Sequence, residues 1–252
     1  MESMVIAPVT AVERGPVYAS LTVESRILVQ QASPGQFLHV RCEGLQLRRP
    51  ISIAGVEGNC LTFVFEIKGK GTQWLSGRRP GDELDILGPL GRGFPDVDGP
   101  VLLVGGGVGV PPMRFCAQRL LESDGLLAFR SRDRALLIPD MEALCGRVTV
   151  MTDDGSLGQK GFAAQGVAEM LSNKSYAAVF ACGPKIMLKT TFEAARKAGV
   201  PCWVSLEERM GCGLGACLTC ATPIRDAGGQ RTMKEVCKDG PVFPGEEVCW
   251  DG

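Results

Sequence analysis

A change in the pattern of apolar residues near residue 97 constrains the fold more than any other feature of the sequence. Before it, apolar residues alternate in short runs separated by turn residues, as in PVYASLTVES, GQFLHVRC, RRPISIAG, NCLTFVFEIKG and DELDILGPLG. Short strands at this spacing predict an antiparallel β barrel or sandwich. After PDVDGP at 95–100, strand-like runs alternate with helix-like runs, which predicts a parallel, doubly wound α/β sheet.

The second half of the chain divides again near Glu208. Up to that residue, the strand-like runs VLLVGGG, LLAFRS, RVTVMT, AVFACG and PCWVSLEE are separated by helix-like runs such as KIMLKTTFEAARKAG. Beyond it the chain is rich in Gly and Cys with little periodicity, so something other than a hydrophobic core must hold it. We therefore predict a β-barrel domain at 1–97, an α/β domain at 98–206 and a small C-terminal module at 207–252.

The charge and the apolar runs disfavour two classes of partner. With 27 Lys and Arg against 28 Asp and Glu and no long run of either sign, the chain shows no polyanion-binding surface, so we expect no nucleic-acid partner. The longest apolar stretches are strand-sized, so we expect no membrane span. The N-terminal segment MESMVIAPVTAVERG lacks a basic region followed by an apolar one, and we expect a cytoplasmic protein.

The eleven cysteines are unevenly distributed. Six are scattered through apolar strand or helix segments, where a free Cys behaves as a small hydrophobic residue: Cys42, Cys60, Cys116, Cys145, Cys182 and Cys202. The C-terminal module instead has the spacing C-x4-C-x2-C followed by a fourth Cys, which is typical of plant-type 2Fe-2S centres. The predicted cluster ligands are Cys212, Cys217, Cys220 and Cys237.

Two alternatives to this ligand set stay open. A structural zinc site is one, although zinc spacing favours pairs of C-x2-C. The other is Cys249 as fourth ligand in place of Cys237. A hairpin turning at Ala227–Gly229 favours Cys237, because it returns the chain to the cluster, whereas the longer path passes through PVFPGEEV. The single histidine, His39, lies in an alternating strand, where we expect a surface or half-buried side chain and not a ligand.

Two glycine-bearing strand ends predict a dinucleotide site. VLLVGGGVGVPPM runs from a strand through glycines into prolines at a helix start, where free N–H groups favour a phosphate. The fourth strand ends in ACGP at the same edge of the sheet, where strand ends form the ligand crevice. The predicted nicotinamide-dinucleotide contacts are Gly105, Gly107, Gly109, Cys182, Gly183 and Pro184. Because Arg130 or Arg132 can accept a 2'-phosphate, these residues leave NAD and NADP open.

Two motifs of the barrel domain suit a second pyrophosphate. Arg49, in the strand RRPISI, can pair with a diphosphate bidentately. One hairpin later, Gly71 and Thr72 of GKGT can supply backbone and hydroxyl donors at a helix start. By themselves these residues are equally compatible with a surface arginine and a loop.

The order of the motifs, namely barrel, R-P-I-S, G-T, glycine-rich turn and C-G-P, resembles the ferredoxin-reductase superfamily. With TDDGSLGQKG and SLEERMGCGLGACLTC, the chain closely resembles the family of electron-transfer subunits of the NAD-dependent, FMN-partnered (type B) dihydroorotate dehydrogenases. The resemblance implies an FAD-binding β barrel, an NAD(H)-binding α/β domain and a 2Fe-2S module. It implies FAD contacts from Arg49, Pro50, Ile51, Ser52, Val64, Phe65, Glu66, Gly71 and Thr72, with Ile51 where many members have an aromatic residue and Glu66 where many have Arg.

The function that this resemblance implies is electron transfer between NAD(H) and an FMN-containing dihydroorotate dehydrogenase catalytic subunit, in a heterotetramer. FAD converts hydride chemistry to single-electron chemistry. No residue pattern predicts a base that would deprotonate dihydroorotate, so we expect the chain to act on that substrate only with its partner. One alternative is the same architecture serving a sulfide dehydrogenase or a ferredoxin-NAD(P) transhydrogenase, although Cys at all four ligand positions favours the pyrimidine enzyme. The other is a zinc-stabilised binding protein without enzymatic activity.

Overall fold

The computed structural model describes residues 3–226 and 228–251, and the first of its domains is a closed antiparallel barrel. The strand order is β1-β2-β5-β4-β3-β6. The strands are β1 (Ser3–Arg14), β2 (Tyr18–Glu24), β3 (Phe37–Val40), β4 (Arg49–Glu57), β5 (Cys60–Glu66) and β6 (Glu83–Leu90), with helices α1 (Arg26–Gln31) and α2 (Lys70–Ser76) between them. The predicted barrel is confirmed, and its first strand, β1, is an element that the sequence pattern did not single out.

The second domain is built on a seven-stranded sheet in the order β10-β9-β8-β7-β11-β12-β15. Its strands are β7 (Val101–Gly106), β8 (Ser123–Phe129), β9 (Val148–Thr152), β10 (Gln159–Lys160), β11 (Ala178–Cys182), β12 (Cys202–Ser205) and β15 (Val242–Pro244). The helices are α3 (Val110–Arg119), α4 (Ile138–Leu144), α5 (Ala163–Asn173) and α6 (Lys185–Lys197). Six of the strands run parallel and β15 is antiparallel to β12. The predicted doubly wound sheet is therefore confirmed.

The C-terminal module is joined to both domains before it. Its hairpin consists of β13 (Ala221–Arg225) and β14 (Arg231–Glu235), and the chain then returns as β15 to the edge of the α/β sheet. The side chain of Asp226 closes the hairpin turn by accepting hydrogen bonds from the backbone N–H groups of Gly228 and Gln230. The predicted turn at Ala227–Gly229 includes Ala227, which lies outside the described residues.

Three hydrophobic clusters stabilise this arrangement. One fills the barrel and the other two cover the faces of the α/β sheet. Of the six scattered cysteines, Cys42, Cys116 and Cys202 are buried and the other three are half-buried. No helix among residues 3–226 and 228–251 is long and apolar enough to cross a membrane.

Candidate functional site

The strand order of the α/β sheet reverses between β7 and β11, which are parallel neighbours although β8, β9 and β10 come between them in sequence. Ligands of open α/β sheets bind outside the carboxyl ends of the strands at such a point. The two predicted glycine motifs end these two strands and touch each other, because a Cβ on Gly183 would stand 3.1 Å from Cα of Gly106. A Cβ on Gly109 would overlap the carbonyl group of Cys182. The structure thus brings together the predicted dinucleotide residues.

The turn that follows β7 is shaped to bring its backbone close to a ligand. Residues Gly107–Gly109 form a single 3-10 turn, and α3 begins directly after it with Pro111 and Pro112 in its first turn. Gly107 has φ +53°, in the left-handed region, and a Cβ there would meet no protein atom within 4 Å. Gly105 instead packs against Val110. Open space therefore lies beside Gly107, at the helix start where a phosphate is favoured.

The side chain of Cys182, at the end of β11, packs against a hydrophobic cluster of the α/β sheet. Burial raises the pKa of the Cys182 thiol to about 12, because it outweighs the hydrogen bond with Ser205, which lowers the pKa, and the carboxylate of Glu207 adds a smaller rise. An unligated thiol with this pKa stays protonated at neutral pH, so Cys182 is not a thiolate nucleophile under these conditions.

In the barrel, Arg49 and Gly71 are in direct contact, as a shared diphosphate site requires. A Cβ on Gly71 would overlap the guanidinium of Arg49, so only glycine fits at the start of α2. The hydroxyl of Thr72 accepts hydrogen bonds from the backbone N–H groups of Lys68 (3.0 Å) and Gly69 (3.1 Å). Thr72 therefore holds the turn before α2, and Arg49 lies against that turn.

A cavity of about 510 Å³ lies where the barrel, the α/β domain and the C-terminal module meet. Arg49 and Pro50 line it from the barrel, and Gly183 and Pro184 line it from the end of β11. The C-terminal module contributes Thr222 and Cys249, and the segment Leu206–Met210 connects the two sides. The sequence analysis used this segment only as part of the motif SLEERMGCGLGACLTC and did not predict that it lines the site, because that role depends on contacts between distant parts of the chain.

The other predicted flavin residues lie elsewhere on the barrel. Val64 lines a second cavity of about 580 Å³, while Phe65 is buried in the barrel core. Glu66 forms an ion pair with Arg134 of the α/β domain, with 2.6 Å between Oε1 and Nη1. Ile51 is only 7% exposed and packs with the barrel core, and Ser52 is half-buried. The structure therefore brings Arg49, Pro50 and Gly71 together but does not bring Val64, Phe65 and Glu66 to the same cavity.

The four predicted cluster cysteines converge in a loop that directs backbone N–H groups at their sulfur atoms. Leu214 and Ala216 donate to Sγ of Cys212 (3.3 and 3.4 Å), and Gly215 donates to Sγ of Cys237 (3.2 Å). Cysteine backbones donate as well, Cys212 to Sγ of Cys217 and Cys237 to Sγ of Cys220, both at 3.4 Å. Donors of this kind stabilise thiolates and tune iron–sulfur clusters.

This donor set fits a 2Fe-2S cluster. Among the residues the structure describes, no three His, Cys, Asp or Glu side chains are grouped so as to hold a single metal ion. A 2Fe-2S cluster spans two irons and needs four cysteines in all. Bonds from the hydroxyl and backbone of Thr219 lower the pKa of Cys217 to about 6, whereas burial and the neighbouring Cys220 raise that of Cys237 to about 12. Coordination to iron deprotonates such thiols outright.

The loop has one exposed and one buried side. Cys217 is exposed, as are the apolar neighbours Leu214 (39%) and Leu218 (60%), whereas Cys220 and Cys237 are each 2% exposed. Cys249 is buried and takes no part in the hydrogen bonds to sulfur described above. Its backbone N–H donates to the carbonyl of Pro223. The cluster is therefore accessible from outside on its Cys217 side.

His39 differs from the sequence expectation of a surface or half-buried side chain, because it is fully buried. The C-terminal module covers the outer face of β3, and a Cβ on Gly213 would lie 2.7 Å from Nδ1 of His39. Burial, together with the charge of Arg48, lowers the pKa of His39 to about 4. The ring of His39 therefore lies against the cluster loop, on the strand next to the one that carries Arg49.

Comparisons with known proteins agree with this geometry. Residues 207–249 match the family model described as the iron-sulfur cluster binding domain of dihydroorotate dehydrogenase B. A protein of Caldanaerobacter subterraneus named dihydroorotate dehydrogenase B (NAD(+)), electron transfer subunit, is 43% identical over 217 residues, which cover 85% of this chain and 86% of the relative. A protein of the same name from Shouchella clausii is 41% identical, with 90% of this chain and 91% of the relative covered.

Solved structures share the architecture. A chain of an NADH-dependent reduced ferredoxin-NADP oxidoreductase, from a study of flavin-based electron bifurcation, superposes with a TM-score of 0.86 and 31% identity, covering 100% of this chain and 92% of its own. The ferredoxin reductase of a carbazole 1,9a-dioxygenase system superposes with a TM-score of 0.65 at 22% identity, over 79% of this chain and 67% of its own. The latter likeness bears on the fold alone.

Proposed function

The chain belongs to the family of electron transfer subunits of dihydroorotate dehydrogenase B, and from this premise we propose that it carries electrons between NAD(H) and an FMN-containing catalytic subunit. FAD and a 2Fe-2S cluster are its cofactors. Oxidation of dihydroorotate to orotate releases two electrons and two protons. A cluster held by Cys212, Cys217, Cys220 and Cys237 would pass the electrons singly, and NAD+ would take up both together with one proton as NADH, while the other proton goes to solvent.

The observation that carries this proposal is the meeting of three sites at one junction. Arg49 of the barrel, Gly183 and Pro184 at the end of β11, and Thr222 and Cys249 of the C-terminal module line one cavity, and the four cysteines lie in that module. Bound FAD supplies the conversion between a two-electron hydride and single electrons. The residues around it hold the diphosphate, position the nicotinamide and seat the cluster.

The residue assignments follow from these contacts. We assign the FAD diphosphate to Arg49, beside Gly71, because the two are in contact at the cavity wall. The nicotinamide dinucleotide is assigned to the two strand ends, from Gly105 to Gly109 and from Cys182 to Pro184. The cluster is assigned to the four cysteines Cys212, Cys217, Cys220 and Cys237.

NADH is the preferred nucleotide in this proposal. The guanidinium of Arg132 already donates two hydrogen bonds to the carbonyl of Ser156 (3.0 and 2.9 Å), and that of Arg134 pairs with Glu66. Of the two arginines that could accept a 2'-phosphate, Arg132 is thus engaged within the chain, whereas Arg130 is exposed. The preference for NADH therefore rests mainly on the relatives, which are named as NAD(+) enzymes. Dye-reduction rates at equal, low concentrations should be higher with NADH, and faster turnover with NADPH would contradict this assignment.

The partner in this proposal docks over the exposed side of the cluster. Cys217, Leu214 and Leu218 form an accessible apolar rim, and single-electron transfer requires the acceptor to approach the cluster closely. We propose a heterotetramer with two copies of each subunit, which the mass of the purified complex tests. A cytoplasmic location is consistent with eleven cysteines that are all free of disulfides.

The similarity to the ferredoxin-NADP oxidoreductase chain, which covers 100% of this chain, suggests a second candidate function, as a transhydrogenase subunit. The identity of 31% to that chain is lower than the 43% and 41% to the dihydroorotate dehydrogenase B subunits. The family assignment therefore favours the pyrimidine enzyme over a transhydrogenase.

Co-purification from the native host tests the proposal. We expect an FMN-containing dehydrogenase to be recovered with the tagged chain, and the complex to show flavin and 2Fe-2S absorption that dihydroorotate bleaches anaerobically. Adding NAD+ should restore the absorption and yield NADH. The chain alone should be reduced by NADH but not by dihydroorotate. A colourless, zinc-containing protein, or a complex that dihydroorotate does not reduce, would refute it.

A further inference from the structure

Helix α3 connects the nucleotide turn to the strand that carries Arg49. It begins directly after Gly107–Gly109 and runs alongside β4, the strand that begins with Arg49. Two of its side chains four residues apart, Arg114 and Gln118, lie on one helix face and reach β4. The elements that would hold the two nucleotides are thus in contact through one helix.

The contacts are made to the backbone of β4. Arg114 Nη1 donates to the carbonyl of Ala54 (3.1 Å). The amide of Gln118 makes two hydrogen bonds to a single residue, because its Oε1 accepts from the N–H of Val56 (3.1 Å) and its Nε2 donates to the carbonyl of Val56 (2.6 Å). Val56 lies opposite Leu61 of β5, but the pairing of β3 with β4 ends at Ser52, so Gln118 satisfies backbone groups on the side of β4 that β3 no longer covers.

Gly55 shows how closely the helix and the strand approach. A Cβ on Gly55 would overlap Nη1 of Arg114 and lie 2.9 Å from Oε1 of Gln118. The register of β4 against β5 also shifts between Ile53 and Gly55. The strand therefore bends and lacks a side chain at the place where the two residues of α3 reach it.

A second contact between the domains holds the neighbouring strand. Glu66, the last residue of β5, pairs with Arg134, which follows β8 at the crevice edge of the α/β sheet. Thus β4 and β5 are each bound to a segment that begins at the carboxyl end of a sheet strand. We call the contacts of Arg114 and Gln118 with Ala54–Val56 the α3–β4 latch.

We propose that the α3–β4 latch sets the distance between nicotinamide and flavin, which makes Arg114 and Gln118 positioning residues for hydride transfer. This inference rests on the proposed function. In the transfer, the nicotinamide C–H bond breaks and its hydrogen leaves with two electrons for the flavin, which takes its second proton from solvent. Reacting atoms must lie about 3–3.5 Å apart, and a misplacement of about 1 Å can cost roughly 100-fold in rate.

The latch acts on position more than on affinity. Gln118 is exposed, and none of its contacts involves the residues assigned to FAD or to the dinucleotide. Its removal should leave both nucleotides bound and let the two domains move relative to each other. The expected signature is a lower rate of hydride transfer at saturating NADH without a matching change in NADH affinity.

The experiment compares four forms of the purified complex by anaerobic stopped-flow reduction with NADH. They are the wild type, Gln118→Ala, the double variant Arg114→Ala/Gln118→Ala, and Asp140→Asn as matched control. Asp140 pairs with Nε of Arg114 within the α/β domain (2.8 Å), so Asp140→Asn removes that ion pair without removing either side chain that contacts β4. FAD content, NADH dissociation constant and the isotope effect with NADH deuterated at C4 are measured for each form.

We expect Gln118→Ala to lower the limiting rate of flavin reduction about 10-fold and the double variant about 100-fold, with a larger isotope effect and full FAD content. Asp140→Asn should remain within about twofold of wild type. Unchanged rates in both latch variants, or an equal loss in Asp140→Asn, would overturn the latch alone. If the double variant loses FAD, its rate of flavin reduction is not informative, and the limiting rate of Gln118→Ala alone tests the latch. A wild-type complex that NADH does not reduce would overturn the proposed function together with the latch.

Discussion

Replacing Gly107 by alanine tests whether the nucleotide passes over the turn after β7. Gly107 has φ +53° and a Cβ there would meet no protein atom, so the methyl group would project into the crevice. The matched control is Gly58→Ala, on the hairpin between β4 and β5, where φ is +57° and a Cβ again meets nothing within 4 Å. Both variants carry the same backbone strain, and only one changes the proposed binding surface.

The expected magnitudes differ between stability and binding. An alanine in the left-handed region costs about 1–2 kcal/mol, which corresponds to a fall of roughly 2–8 °C in melting temperature for a chain of this size. Both variants should show it. At Gly107 the methyl group would also hold the phosphate away from the N–H groups of the turn. Loss of one charge-assisted hydrogen bond, about 1.5–3 kcal/mol, predicts NADH binding that is roughly 10- to 100-fold weaker.

The assay is an anaerobic titration of flavin absorbance with NADH, alongside thermal melting of each protein. We expect the NADH dissociation constant to rise for Gly107→Ala and to stay at the wild-type value for Gly58→Ala. A third variant, Gly109→Ala, should be less stable than either, since its Cβ would overlap the carbonyl group of Cys182 at an ordinary helical φ. If Gly107→Ala binds NADH as the wild type does, the dinucleotide does not lie over this turn.

Three further predictions address the cluster, the flavin and the core. Cys237→Ala should lose the 2Fe-2S absorption and electron delivery while NADH still reduces FAD, whereas Cys249→Ala should keep all three; a colourless Cys249 variant beside a normal Cys237 variant would reverse the assignment. Arg49→Ala should lose FAD on dialysis and keep the cluster, and full FAD retention would contradict the diphosphate site. Asp124→Asn should lower the free energy of unfolding at pH 7 by about 1–3 kcal/mol with normal visible absorption, because hydrogen bonds from Tyr176 and Lys174 outweigh burial and lower the carboxyl pKa. Since the folded pKa of Asp124 lies below the unfolded value, that stabilisation is present above about pH 4 and is lost as pH falls through the folded pKa. In urea unfolding, the difference in stability between wild type and Asp124→Asn should therefore shrink at low pH. A difference that does not change with pH would contradict the ionised carboxylate as its cause.

The parts of the site that were predictable are those governed by local rules. Glycines at a strand end, prolines at a helix start and cysteines at fixed spacing act within a few residues of each other. The structure accordingly places Gly105–Gly109 at the end of β7 and Cys182–Pro184 at the end of β11. It also brings Cys237, which follows β14, to the loop that carries the other three cysteines.

The parts that were not predictable depend on contacts between distant segments. The pattern of β3 indicates a strand with one solvated face, yet His39 is buried because the loop at Gly213, far along the chain, covers that face. Likewise, the resemblance to the family implied that Glu66 contacts the flavin, because of its position in the strand after RRPISI. Its side chain pairs with Arg134, a partner that no local pattern indicates.

The module at 207–252 is distinct in composition but not in packing, and this bears on how electrons can cross it. Buried residues of the module, among them Cys220, Val236 and Phe243, belong to the same hydrophobic cluster as the strands of the α/β sheet, and β15 extends that sheet. A loop with its own core could change its distance from the flavin by moving as a unit. Here such movement would expose apolar surface shared with the sheet, so the position of the cluster is fixed by the same packing that forms the nucleotide crevice.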